Sequence, residues 1–221
     1  MQLIEDLRHE HDLIEQVLGS LRAFASARRM GQADPADGPR FLAFFRHYAG
    51  SFHHDKEEAV LFRALVERAE LPAHRGPISA LTSEHRRLAG LLDELEVLLA
   101  PTPAESETVV THLATLAKDY SRALWRHIDA ENSVLFPEGQ ERLRRVHVLE
   151  LPSRAMTTLE QAAWATGQTL ILAYPPEHDP QALRGEGCVL CPSYGTSCEG
   201  LEVAWWTEDE WEETRDKFNG E

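Results

Sequence analysis

The chain has few cysteines, little positive charge and no long apolar run, and each shortage excludes a class of protein. Its 221 residues include three cysteines, too few for a disulfide-stapled secreted domain. Lysine and arginine number 22 against 37 aspartates and glutamates, a formal charge of −15, which argues against nucleic acid or an anionic membrane as partner. No stretch is apolar enough to span a bilayer, and the amino terminus lacks a signal-peptide core. We therefore expect a cytoplasmic protein.

Apolar residues recur at helical spacing through most of the first 141 residues. The pattern predicts helices over about 2–29, 39–69, 75–99 and 103–136, separated by proline-containing breaks. Thr102, Pro103 and Glu105 resemble a capping-box start for the fourth helix, and Pro137 and Gly139 mark its expected end. Long helices with short connections predict a mainly α fold, an antiparallel up-down four-helix bundle.

The sequence repeats itself at an offset of 74 residues, without an insertion. The offset pairs six residues of metal-binding type: His11 with His85, His53 with His127, and Glu57 with Glu131. Identical apolar residues, such as Leu7 and Leu81, recur at the same offset. The repeated unit is therefore a helical hairpin, and two such hairpins are expected to pack around a pseudo-two-fold axis.

The repeated histidines and glutamates have the spacing of metal ligands. Residues four apart lie on one face of a helix, so each His-x-x-x-Glu pair presents an imidazole and a carboxylate together. One such pair alone is ordinarily a solvated surface pair. Repetition in register favours a metal site, because six buried titratable groups would be costly without a metal to hold them. Sites of this kind in bundle cores hold di-iron or di-manganese centres.

Two further pairs of residues leave alternatives open. His54 and Glu58 are also four apart, but their counterparts at the offset are an isoleucine and an asparagine. We therefore place them beside the ligands or on the helix flank, with Glu58 as a ligand the alternative. Glu10 and Glu84 are repeated and precede the first histidine of each half. We favour exposed acidic neighbours, and the alternative is that they accept hydrogen bonds from ligand imidazoles.

The same motifs resemble those of a known family. Glu10-His11, the segment 53–62, Glu84-His85 and the segment 127–137 resemble a hemerythrin-like HHE cation-binding domain. The resemblance covers about residues 1–141, and we expect this domain to span 1–145. It implies a four-helix bundle with an oxo- or hydroxo-bridged pair of iron ions. It also implies the ligands His11, His53, Glu57, His85, His127 and Glu131.

One departure from the family bears on function. Oxygen-carrying members have a second histidine one turn after the first on the third helix, where this chain has Ala89. The resemblance therefore implies a more open centre than a carrier has. We expect a protein that binds or senses oxygen, nitric oxide, peroxide or iron in redox or stress response. The alternatives are a di-iron oxidoreductase with peroxidase- or catalase-like activity, and iron storage or delivery. The sequence identifies no protein partner.

Residues 150–221 differ in sequence pattern from the first 141 residues, and this pattern predicts a small α+β region. We expect a short helix ending at Gly167, a strand over 169–174, a second strand over 201–206 and a final acidic helix over 208–218. This region is either a separate appendage or an extension packed on the bundle.

All three cysteines lie in this last region. Cys188, Cys191 and Cys198, with His178 as a fourth ligand, form a candidate second site for zinc or iron. The alternatives are a disulfide between Cys191 and Cys198, and reduced, buried thiols.

Overall fold

The computed structural model describes residues 1–101 and 106–177, and within these ranges the chain is mainly helical, without strands. The α-helices are α1 (Gln2–Arg29), α2 (Gly38–Ala43), α3 (Arg63–Ala69), α4 (Gly76–Leu99), α5 (Glu107–Ala130), α6 (Phe136–Arg145) and α7 (Thr158–Ala173). Wider π-helical segments are π1 (Phe44–His54), π2 (Glu57–Phe62) and π3 (Glu131–Leu135). A 3-10 turn, Pro35–Asp37, precedes α2. In the described part of the chain, no helix combines the length and apolar character needed to cross a membrane.

The helical elements join into four long rods. Rod 1 is α1, rod 2 runs over 38–69 through α2, π1, π2 and α3, rod 3 is α4, and rod 4 runs over 107–145 through α5, π3 and α6. Rod 4 contacts rod 1 and rod 3 through α5, and rod 2 contacts the same two rods through π1. Gly38 fits this packing, because a Cβ there would lie 2.0 Å from the carbonyl oxygen of Leu99.

The first three rods begin and end close to the predicted residues, and the fourth differs at both ends. Ser106 caps α5 by accepting a hydrogen bond from the Val109 N–H, whereas the predicted start over 102–105 lies outside the described residues. The expected end at Pro137 and Gly139 is wrong. Pro137 is the second residue of α6, directly after the wider π3 segment, and the rod continues through it to Arg145. Gly139 instead allows a close approach to the Leu65 side chain.

Two apolar clusters fill the space between the rods. One contains Leu3, Leu7, Leu61, Leu81 and Leu135 with their neighbours. The other, larger cluster takes residues from the opposite half of each rod and includes many of the aromatic side chains. The six residues paired by the repeat lie at the junction of the two clusters. We call these six the polar layer: His11, His53, Glu57, His85, His127 and Glu131.

Helix α7 overturns one prediction for the carboxy-terminal region. The strand expected over 169–174 is wrong, because the helix that starts after Thr157 runs past Gly167 to Ala173. Thr157 and Glu160 form a capping box that starts it. Gly167 does not end the helix. It allows close packing, since a Cβ there would lie 2.5 Å from the Phe44 ring.

The described part of the carboxy-terminal region is therefore an extension packed on the rods. Helix α7 contacts α1, α2 and π1. A pocket opens between α1 and α7, and Glu10, Tyr48, Trp164 and Gln168 are among its lining residues. The second expected strand and the final helix lie outside the described residues and stay predictions, as does the division into two domains.

Replacing Gly167 by alanine tests the close packing of α7 against Phe44. The added methyl group would overlap the Phe44 ring, so we expect a loss of about 1–3 kcal/mol in the free energy of unfolding. Gly90 is the matched control, because a Cβ at that helical position meets nothing within 4 Å. Gly90→Ala should gain about 0.5–1 kcal/mol. Urea unfolding followed by circular dichroism measures both, and equal gains in the two variants would contradict the packing described.

Candidate metal centre

The polar layer takes its residues from all four rods. Rods 1 and 3 supply one histidine each, His11 and His85. Rods 2 and 4 supply one His-x-x-x-Glu pair each, on adjacent turns where α- and π-helical segments meet. All six side chains belong to residues between 0 and 6% exposed. The structure thus brings together all six of the residues that the repeat singled out.

The imidazoles form two close pairs. Nε2 of His53 lies 2.9 Å from Nε2 of His11, and Nε2 of His85 lies 2.9 Å from Nε2 of His127. A transition metal about 2.0–2.1 Å from both nitrogens of a pair would see them at about a right angle. That is the angle between neighbouring positions of an octahedron, so each pair fits one metal.

The two carboxylates reach both histidine pairs. Glu57 has one oxygen 3.4 Å from Nε2 of His53 and the other 3.5 Å from Nε2 of His85. Glu131 has its two oxygens 3.3 Å from Nε2 of His11 and 3.3 Å from Nε2 of His127. None of these four buried oxygens has a hydrogen-bond partner in the described part of the chain. Two metals bridged by both carboxylates would give every oxygen a partner.

Each imidazole of the layer also forms a hydrogen bond through its other ring nitrogen, Nδ1. The Nδ1 atoms pair with oxygens as follows: His53 with Glu10 (2.9 Å), His127 with Glu84 (2.8 Å), His85 with Glu58 (2.7 Å) and His11 with Asn132 (3.0 Å). These oxygens accept, so Nδ1 carries a hydrogen, and in a neutral imidazole Nε2 then directs its lone pair into the layer. We favoured an interpretation of Glu10 and Glu84 as exposed acidic neighbours, and it is wrong. Each accepts a hydrogen bond from an imidazole of the layer, as the alternative states.

The pairing of Glu58 with Asn132 was missed from the sequence. These two residues are counterparts at the offset of 74, and each accepts from the histidine supplied by the opposite hairpin. A comparison by residue identity discards the pair. A comparison by chemistry would have kept it, since both side chains offer an oxygen acceptor at the same place.

Lys56 is a second residue that the sequence did not single out. Its side chain is 1% exposed, forms an ion pair with Glu10, and lies 4.1 Å from the centre of the Phe52 ring. The counterpart in the other half is Ala130. The chain Lys56–Glu10–His53 therefore places a buried positive charge behind one histidine pair, and the second hairpin has no lysine at this position.

His54 lies beside the polar layer, as the sequence predicts. A ring nitrogen of His54 lies with donor atoms of Glu57, His85 and His127, all within 4.8 Å of one another. Ala89, one turn after His85 on α4, is exposed. The openness inferred from the missing histidine stays a prediction.

Burial and mutual charge shape the protonation of the layer. Burial lowers the pKa of His53 well below its ordinary value, and the nearby His11 lowers it further. Burial raises the pKa of Glu57, and the adjacent Glu131 adds to the rise. Burial acts to raise the pKa of Glu131 as well, but His127 and His11 together outweigh burial and hold the pKa of Glu131 well below its usual range. Metal binding favours neutral imidazoles and ionised carboxylates, so it would release protons here.

The candidate second site lies elsewhere. His178, Cys188, Cys191 and Cys198 are all outside the described residues. Zinc or iron binding by these residues stays a prediction.

Replacing Lys56 by methionine tests the buried ion pair. Glu10 would keep a buried charge without its partner, so we expect a loss of about 3–5 kcal/mol in the free energy of unfolding. The double variant Glu10→Gln with Lys56→Met removes both charges and should recover much of this loss. Arg63→Met is the control, because its pair with Glu67 is exposed and should contribute less than about 1 kcal/mol. Chemical unfolding measures all three, and equal losses in Lys56→Met and Arg63→Met would contradict the burial.

Comparisons with known proteins agree with this geometry. The family model "hemerythrin HHE cation binding domain" matches residues 2–138. An iron-sulfur cluster repair protein YtfE from Edwardsiella ictaluri (strain 93-146) is 34% identical over 89 residues, 39% of this chain. The match spans 40% of that relative's length. No solved structure gives a significant match. The family match spans more than half of the chain and includes every residue of the polar layer, and the protein belongs to the hemerythrin HHE cation-binding domain family.

Proposed function

We propose that the polar layer binds two iron ions, bridged by Glu57 and Glu131, inside an antiparallel up-down four-helix bundle of two repeated hairpins. His11 and His53 would hold one ion, and His85 and His127 the other. The observation that carries the proposal is the set of four buried carboxylate oxygens, each facing an imidazole nitrogen and without a hydrogen-bond partner in the described residues. Burial of such groups is costly unless cations compensate them.

The residues around the layer orient the ligands and exclude water. Glu10, Glu84, Glu58 and Asn132 fix the tautomer and the direction of the four imidazoles. The ring of Phe136 stacks on His11 with centroids 5.5 Å apart, and the ring of Phe62 stacks on His85 at 5.8 Å. These two aromatic rings lower the local dielectric constant and so strengthen the electrostatic interactions within the layer.

We propose that the centre binds or senses a small redox-active molecule in redox or stress response. Two imidazoles and two carboxylate oxygens at each ion leave room for a small ligand. Iron would supply redox chemistry and coordination positions for oxygen, nitric oxide or peroxide. The cytoplasmic location stays a sequence-based prediction.

Iron handling is the second candidate function. It is favoured by the similarity to a relative whose name states iron-sulfur cluster repair. The relative is matched over only part of its length, so any role in supplying or removing iron is a proposal for this chain. The two candidates differ in whether the iron stays bound.

Metal content and absorption of the purified protein test the first proposal. After expression with ample iron, we expect two irons per chain and charge-transfer bands that change with azide. His85→Ala should lower iron affinity by more than about 10–100-fold, the effect of losing a group that merely orients a ligand. His112→Ala is the control, because this histidine is exposed on α5. Protein that carries zinc alone under these conditions would contradict the di-iron proposal.

Retention of iron separates binding from delivery. Because the ligand residues are between 0 and 6% exposed, we expect the loaded protein to release iron to a competing chelator slowly, over hours. Transfer to an apo iron-sulfur protein should be equally slow. Release within seconds, or rapid transfer that restores the acceptor's activity, would favour iron delivery instead.

A further inference from the structure

Lys56 is a buried cation that reaches the polar layer through a neighbouring carboxylate. Its side chain is 1% exposed, and its ammonium group forms an ion pair with Oε1 of Glu10. The other oxygen of that carboxylate, Oε2, accepts a hydrogen bond from Nδ1 of His53 at 2.9 Å. Glu10 therefore uses one oxygen for the lysine and the other for the imidazole, and it joins the two directly.

The surroundings of Lys56 leave its charge little screened. Its Nζ atom lies 4.1 Å from the centre of the Phe52 ring, a cation–π contact. The guanidinium of Arg154 lies 5.0 Å from the same ring, but it has its own partner in Glu160. Within the described part of the chain, Glu10 is the only carboxylate paired with Lys56. Salt screens a buried pair much less than an exposed one, so this charge acts strongly on its neighbours.

The second hairpin forms the same kind of hydrogen bond without a lysine. There Glu84 accepts from Nδ1 of His127 at 2.8 Å, and the counterpart of Lys56 is Ala130. The Glu84 side chain is 41% exposed, so water reaches it, whereas the Glu10 side chain is 10% exposed. The hydrogen bond that orients an imidazole therefore does not require a lysine. Lys56 adds a charge to it.

The added charge acts on a bound metal in two ways, and both have the same sign. A carboxylate that accepts a hydrogen bond from a ligand imidazole makes the imidazole a stronger electron donor. Lys56 attracts the negative charge of Glu10, so it weakens this effect at His53. A weaker donor favours ferrous over ferric iron. A nearby positive charge does the same, because reduction lowers the charge of the metal and with it the repulsion.

We propose that Lys56 is a positioning residue that acts through Glu10 on His53 and raises the reduction potential of the iron centre. The inference rests on the proposed di-iron function and deepens it, since it concerns how readily the bound iron is reduced. At an effective dielectric constant of about 20, one such charge changes the ratio of ferrous to ferric iron by about tenfold. A higher potential favours ferrous iron, the form that oxygen or peroxide oxidises.

The test is a redox titration of the full-length, iron-loaded protein, followed by its charge-transfer absorption. Each ferric ion takes one electron from a reduced mediator dye and becomes ferrous. Lys56→Met removes the positive charge, so the ratio of ferrous to ferric iron at the native midpoint should fall about tenfold. Glu10→Gln keeps a hydrogen-bond acceptor but loses the negative charge, so the potential should rise. The double variant should return close to the native potential.

Two further variants serve as controls. Lys56→Arg keeps the positive charge and should keep a potential near that of the native protein. Arg63→Met removes a cation of the same rod whose pair with Glu67 is exposed, so any shift should disappear at high salt. The shift in Lys56→Met should persist at high salt, because the lysine is buried.

The signs of the shifts separate electrostatics from packing. An unchanged or raised potential in Lys56→Met would overturn the inference. Shifts of the same sign in Lys56→Met and Glu10→Gln would also overturn it, since they assign the pair a packing role. If Lys56→Met does not fold, Glu10→Gln decides in its place, and a potential that does not rise overturns the inference. These outcomes leave the di-iron proposal intact. Native protein that takes up no iron would overturn the di-iron proposal and the inference together.

Discussion

The joint burial of two carboxylates without hydrogen-bond partners is the constraint on which the rest of this molecule depends. Glu57 and Glu131 lie at the junction of two apolar clusters, and their oxygens face imidazole nitrogens. Such an arrangement is costly by itself, because charged groups lose their hydration on burial. The apolar clusters on either side hold the four rods at the spacing that keeps these oxygens in place, so packing is what maintains the polar layer.

The two hairpins contribute equivalent residues to the polar layer and differ in the residues that surround it. Each gives two histidines and one glutamate to the layer, but the first hairpin adds a buried lysine, a third histidine and a further carboxylate beside the layer. The other has Ala130, Ile128 and Asn132 at these positions. The additional charged side chains and the additional imidazole therefore all lie on rod 2. Two metals bound here would differ in their surroundings even though their ligands are related by the repeat.

The sequence predicted the residues of the polar layer better than the residues that surround it. Identity at a fixed offset selected His53 and Glu57, because ligand chemistry allows few substitutes. It missed Asn132, since an amide replaces a carboxylate as an acceptor, and Lys56, whose role depends on a partner 46 residues away. The strand expected over 169–174 failed for another reason. Its apolar run is equally compatible with a helix, and only the capping box and the contact between Gly167 and Phe44 decide between them.

The pocket between α1 and α7 connects the carboxy-terminal region to the layer. Trp164 of α7 and Glu10 of α1 line the same pocket, and Glu10 accepts a hydrogen bond from His53. A shift of α7 would change the shape of this pocket and with it the surroundings of the Glu10 carboxylate. Glu10 thereby links the position of the last described helix to the orientation of a single imidazole of the polar layer.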